Sequence, residues 1–207
     1  MRPLWGGLAS LILAGCLSGC ITLLPKEHPV QLYRFGANRE ATTPPPRLSG
    51  TPFTVRAAVG AFDRASAGDK ILTVTGEATA YIADARWVAS AQSLFEAAMI
   101  ARFDASGGPA ALLDRGELAP SDYRLDVSVR RFEVIYARAG AEPPVIDIQI
   151  DASLEPARDP KSRQARTFEA RAPAGANSLG AIVGAYSQGV GEVLGQLVAW
   201  VNAKGAG

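Results

Sequence analysis

The first regular pattern along the chain is alternation. Val30-Gln31-Leu32-Tyr33-Arg34-Phe35 reads as a strand stopped by Gly36. Phe53, Val55, Ala57 and Val59 then share one parity, which predicts a second strand over 53–62. Residues 63–69 are rich in Ala, Ser and Gly and read as a turn. Ile71-Leu72-Thr73-Val74 and Ala78-Thr79-Ala80-Tyr81-Ile82 follow as two short strands around Gly76. The period then lengthens. Leu94, Phe95, Ala98, Met99 and Phe103 fall at helical spacing, so a helix is expected from about Ser90 to Phe103, capped by Ser90 and stopped by Gly107-Gly108.

Residues 109–121 read as a connection, with one helical turn at Ala111-Leu112-Leu113 the element expected in it. Beyond it Tyr123, Leu125, Val127 and Val129 alternate with Arg124, Asp126, Ser128 and Arg130. The apolar parity then moves to Phe132 and Val134. A one-residue change of parity would turn every later side chain to the other face unless an extra residue is absorbed, so a bulge or bend is predicted at Arg130-Arg131. After a turn over 139–144 the return strand carries Ile146, Ile148, Ile150, Ala152 and Leu154 on one side and Asp147, Gln149 and Asp151 on the other. A charged turn over 158–163 and a strand over 166–172 lead to the last element, about Ser178 to Ala203. There Leu179, Ile182, Val183, Tyr186, Val190, Val193, Leu194, Leu197 and Val201 keep helical spacing. Its glycines each cost about 1 kcal/mol relative to Ala, and close packing of helix on sheet is the expected reason for them. Its polar residues favour a core helix over a membrane span.

The order is four strands, helix, three strands, helix. That predicts an α+β fold, a mixed α/β sandwich of roughly seven strands in a mostly antiparallel or mixed sheet covered by two long helices.

The amino terminus follows a different pattern. Pro3 to Leu24 holds no charge and follows the single basic Arg2. A basic start, a short apolar core and small residues before a cut are the parts of an export signal. Leu17-Ser18-Gly19-Cys20 resembles a lipoprotein processing site, in which the thiol receives a diacylglycerol and the new amino terminus another acyl chain. Leu13-Ala14-Gly15-Cys16 fits the same pattern, but a cut there would leave Leu17 and the 21–24 run exposed behind the anchor, so Cys20 is preferred and Cys16 is the alternative. An uncleaved helix is the other reading, since about 20 apolar residues span a bilayer; four glycines and a proline weaken it. The expected organisation is a signal over 1–19, a lipidated tether over 20–29 and one domain over 30–204, with a Pro-rich loop through Pro44-Pro45-Pro46.

Charge and composition mostly exclude. Removing the signal takes away one of 21 basic residues and leaves them equal to the 20 acidic ones. No concentrated basic surface for nucleic acid is implied. The single histidine, His28, sits in the tether, where a base would lack a fixed partner, and no Ser-His-Asp set can be built without it. Walker-type and dinucleotide-binding glycine loops are absent, as are Cys/His metal clusters, so no cofactor and no metal site is expected. Asp147 and Asp151 share a strand face about 13 Å apart at about 3.3 Å per residue, wider than a glycosidase pair; a solvated outer face is the expectation. Arg130-Arg131 could receive an acidic partner or a lipid headgroup, though solvation is more usual at a strand bend. Trp87 reads as a core residue under a helix start.

Leu23-Leu24-Pro25-Lys26 with Pro29-Val30-Gln31-Leu32-Tyr33-Arg34-Phe35-Gly36, then Arg86-Trp87, Leu94-Phe95, and Tyr123-Arg124-Leu125-Asp126-Val127 leading to Arg131-Phe132-Glu133, resemble the ABC-type transport auxiliary lipoproteins. The resemblance implies a sandwich similar to the amino-terminal domain of the Tol-system propeller protein. It implies partnership with an ABC permease, its ATPase and a mammalian-cell-entry (MCE) domain protein in moving lipids between inner and outer membranes. On it the chain is a non-enzymatic periplasmic docking component, anchored to a membrane at Cys20, and a homo-oligomer is compatible with that role. Ile21 stands at the position after the anchor where Asp retains enterobacterial lipoproteins at the inner membrane, so outer-membrane placement is expected over inner. The alternative is an envelope-anchored carrier of a lipid or other apolar ligand, its glycine-rich last helix lining a groove.

Overall fold

The computed structural model describes residues 29–36, 50–114, 116–138 and 142–205. Eight strands and two long helices are described: β1 (Gln31–Tyr33), β2 (Phe53–Phe62), β3 (Lys70–Thr75), β4 (Ala78–Trp87), α1 (Ala91–Ser106), β5 (Ala110–Leu112), β6 (Tyr123–Tyr136), β7 (Val145–Pro156), β8 (Gln164–Pro173) and α2 (Leu179–Gly205). The expected α+β class is correct, with one strand more than the pattern predicted.

The sheet is organised on β6. One edge of β6 pairs antiparallel with β7 along its length, and β7 pairs antiparallel with β8. The other edge is shared by two parallel partners, β2 along 123–129 and β3 along 134–136. The sheet therefore forks, with β5 beyond β2 and β4 then β1 beyond β3. Both helices lie on one face: Phe95 of α1, edge-on, and Tyr186 of α2, tilted, both pack against Phe132 of β6, at ring-centroid distances of 6.3 and 4.9 Å. Phe35 and Trp87 join that cluster, 4.9 Å apart and edge to face. Trp87 is thus a core residue, as expected. Such ring pairs add about 0.5–1.5 kcal/mol to what burial alone contributes.

The local signals explain the elements. Ser90 accepts a hydrogen bond from the Ser93 N–H at 3.1 Å, and Gly107 closes α1 in the left-handed conformation, φ 60°. At the next residue, a Cβ on Gly108 would lie 2.2 Å from the Asn202 side chain. Asn202 in turn accepts from the Ala110 N–H at 3.1 Å, tying β5 to α2.

Three expectations need correction. Residues 110–112 form β5 rather than a helical turn: Phe53 donates to the Pro109 carbonyl and Leu113 to that of Val55, both at 3.0 Å, so pairing with β2 takes up the backbone groups. The fourth strand does not end at Ile82. Asp84 adopts φ 54°, a left-handed turn that Asp tolerates, and the strand resumes through Trp87 to meet β1 in parallel. The α2 glycines do not all pack on the sheet. A Cβ on Gly189 would meet Ile148 at 3.1 Å, and one on Gly195 would meet Arg102 of α1 at 3.0 Å, but Gly180, Gly184 and Gly191 have open space. No helix among the described residues is long and apolar enough to cross a membrane.

Candidate functional site

The sheet face away from the helices carries the polar alternates of β6, β7 and β8. Register arranges them in rows: Asp126, Ser153 and Ala165; Ser128, Asp151 and Thr167; Arg131, Gln149 and Glu169; Glu133, Asp147 and Arg171. The β6 bulge makes this possible. Val129 faces Ile150 and Arg131 faces Gln149, so Arg130 is the extra residue. Val129 and Phe132 both stay in the core, while both arginines meet carboxylates on the outer face. The bulge expected at Arg130-Arg131 is present.

Asp147 anchors the network. It is 2% exposed, with Arg131 Nε 2.8 Å from one carboxylate oxygen and Arg171 Nε 3.4 Å from the other. Arg131 also reaches Glu169 at 3.3 Å. The expectation of solvation therefore fails for Asp147 and for Arg131, which is half-buried. Cross-strand partners cover Asp147, and a strand read alone cannot show them. Asp151 keeps to expectation: its side chain is 40% exposed, with Arg130 at 2.8 Å and the Thr167 hydroxyl donating at 2.7 Å. Those two hydrogen bonds, Thr167 first, hold its carboxyl below the usual range. Glu133 moves the other way: burial pushes its carboxyl up, the Asp147 charge adds to this and Arg131 opposes it.

This arrangement can bind and orient but offers little for reaction chemistry. Asp147 and Glu169 are engaged by arginines and Asp151 by an arginine and a hydroxyl, and no group of three His, Cys, Asp or Glu among the described residues could hold a metal. Three grooves lie among the described residues. One of about 450 Å³ lies over Ser128, Asp151 and Ser153; one of about 320 Å³ runs beside Arg56 and Ile100; one of about 830 Å³ lies at the Pro120–Tyr123 end. None of these three is lined by α2, whose Val193, Leu197 and Val201 are fully buried. The apolar-carrier reading loses its motive, because α2 seals a core. Tyr186 is buried with its hydroxyl unpartnered among the described residues, and burial, seconded by Glu133, pushes its phenol far up.

The expected anchor, Cys20, and its alternative, Cys16, lie outside the described residues, as do Ile21, His28 and the Pro44-Pro45-Pro46 loop.

Comparison with known proteins bears on the rest. A family model described as an ABC-type transport auxiliary lipoprotein component matches residues 67–198, more than half of the chain. No curated protein sequence matches. The crystal structure of protein XCC0632 from Xanthomonas campestris, of family DUF330, is similar with a TM-score of 0.71 at 26% identity, over 84% of this chain and 96% of that one. A crystal structure of an uncharacterized protein, at 12% identity, covers 84% of this chain and 99% of its own with a TM-score of 0.62. It shows the fold alone.

Proposed function

Because the chain belongs to the ABC-type transport auxiliary lipoprotein family, we propose that it is a lipid-anchored accessory of an MCE-type ABC system that moves lipids between inner and outer membranes. Its role is docking, without catalysis of its own. The observation that carries the reading is the family match, which runs from the turn before β3 through most of α2 and so takes in six of the strands and both helices. The burial of the apolar side of α2 and the charge-paired outer face support an adaptor over a carrier or an enzyme.

In this reading the signal over 1–19 is removed, Cys20 is acylated, and residues 20–29 tether the domain over 30–204. Two or more acyl chains give stable attachment where one is marginal. Ile21 after the anchor favours the periplasmic face of the outer membrane. The partners are an MCE-domain protein, the ABC permease and its ATPase. Purification from crosslinked envelopes tests the partnership: the three partners should be recovered above background, and repeated recovery of none of them would sink it.

A further inference from the structure

β1 lies at one edge of the sheet, paired in parallel with β4. Alternation sends Tyr33 toward the core beside Trp87 and leaves Val30, Leu32 and Arg34 on the other side. The parallel register sets Leu32 beside Arg86. The Val88 N–H donates to the Tyr33 carbonyl at 2.8 Å, which completes the Tyr33–Trp87 pair and places Val88 just past the end of β4. Val30, Leu32 and Val88 are 49%, 64% and 45% exposed, three aliphatic side chains in or next to the paired strands β1 and β4 and left in water.

Arg34, Lys70 and Arg86 lie beside them together with the exposed acids Asp69 and Asp84, and Lys70 sits over the Tyr81 ring at 5.1 Å. Arg34 is exposed and has no ion partner among the described residues. Arg86 sits 3.7 Å from Asp69, and Lys70 faces Arg86 across the β3–β4 ladder. Exposed aliphatic residues with three basic side chains beside them suit a bilayer surface, where the former enter the boundary of the acyl chains and the latter meet anionic headgroups. Chain length points to the same occupant. Only residues 21–29 separate Cys20 from Val30, and even fully extended they reach about 30 Å.

We infer that the β1–β4 edge, through Val30, Leu32 and Val88 with Arg34, Lys70 and Arg86, rests on the membrane that holds the anchor. The inference rests on the reading of Cys20 as acylated. It fixes the orientation of the domain: β8, five strands away in the sheet order and about 24 Å distant at about 4.8 Å per strand, is turned away from the bilayer toward the envelope space.

The test uses the acylated full-length product, its acylation verified by intact mass, in vesicles of phosphatidylethanolamine and phosphatidylglycerol. Acylation blocks Cys20 and processing removes Cys16, so a fluorophore can be placed on Leu32→Cys or Val88→Cys, with Thr167→Cys and Gln188→Cys as controls. A nitroxide lipid should quench the first two several-fold more than the controls. Equal quenching at all four positions overturns the inference. Shielding of the Leu32 position that rises with protein concentration and ignores the lipid quencher also overturns it, assigning the patch to a second copy. Absence of acyl chains removes both this inference and the anchor, and the mass distinguishes that failure from the other two.

Discussion

On β7 alone, Ile146, Ile148 and Ile150 are fully buried toward the helices, while Asp147, Gln149 and Asp151 take the opposite face. The inner side is held by area removed from water and by ring packing around Phe132. The outer side is held by ion pairs whose strength depends on how far each is withdrawn from water: Asp147 is covered and Asp151 is not, although they share a strand and a face. Alternation decides which face a side chain takes. Its electrostatic surroundings are decided by strands that join only in the fold.

The comparison is most severely tested at Phe132, which touches rings from α1, α2 and the segment after β1. Phe132→Ala should cost about 3–5 kcal/mol, read as a lower denaturation midpoint. On the outer face the largest effect should come from Asp147→Ala. It leaves Arg131 half-buried without its main partner, and we expect a loss of about 2–3 kcal/mol, less than for a fully buried pair because Arg171 reaches water. A loss below 0.5 kcal/mol, the scale of an exposed pair, would erase the distinction between Asp147 and Asp151.

Glycine separates packed from open positions within the helical layer. Gly108→Ala drives a methyl into Asn202 and should destabilise by about 1–3 kcal/mol. Gly184→Ala meets open space and should stabilise by about 0.5–1 kcal/mol. Thermal melts of the two variants check the signs.

The smallest effects concern pH, and here two carboxylates of one face should oppose each other. Asp151 has a lowered folded pKa, so its contribution is present above the unfolded value and is lost as pH falls through the folded one. Asp151→Asn should lower the melting temperature at neutral pH, and the deficit should vanish in acid. Glu133 has a raised folded pKa, so its favourable contribution exists below the unfolded value and disappears as pH rises through the folded one. Glu133→Gln should therefore melt higher than wild type at neutral pH and converge with it in acid. Melting curves across the acid range check both.

Much of the fold was legible. The parity shift at Arg130-Arg131 located the bulge, Ser90 and Gly107 bounded α1, and apolar spacing found α2. Less legible was β5, where Ala-Ala-Leu carries no alternation and exists as a strand only because β2 pairs with it. The end of β4 was set too early, at Ile82, because left-handed Asp84 interrupts the pattern without ending the strand. The burial of Asp147 had no local signal at all, since Arg131 and Arg171 come from neighbouring strands. A sharper clue lay in Arg131 and Arg171 themselves, basic residues at positions able to flank an acid on the strand between them.

Both the proposed role and the membrane-facing edge depend on one thiol, so intact mass of the membrane-extracted protein, with Cys20→Ala and Cys16→Ala alongside, tests the account most directly. The predicted result is an amino terminus at Cys20 carrying acyl chains, with cleavage and acylation lost in Cys20→Ala and kept in Cys16→Ala. An unmodified full-length mass for the wild-type chain would contradict it.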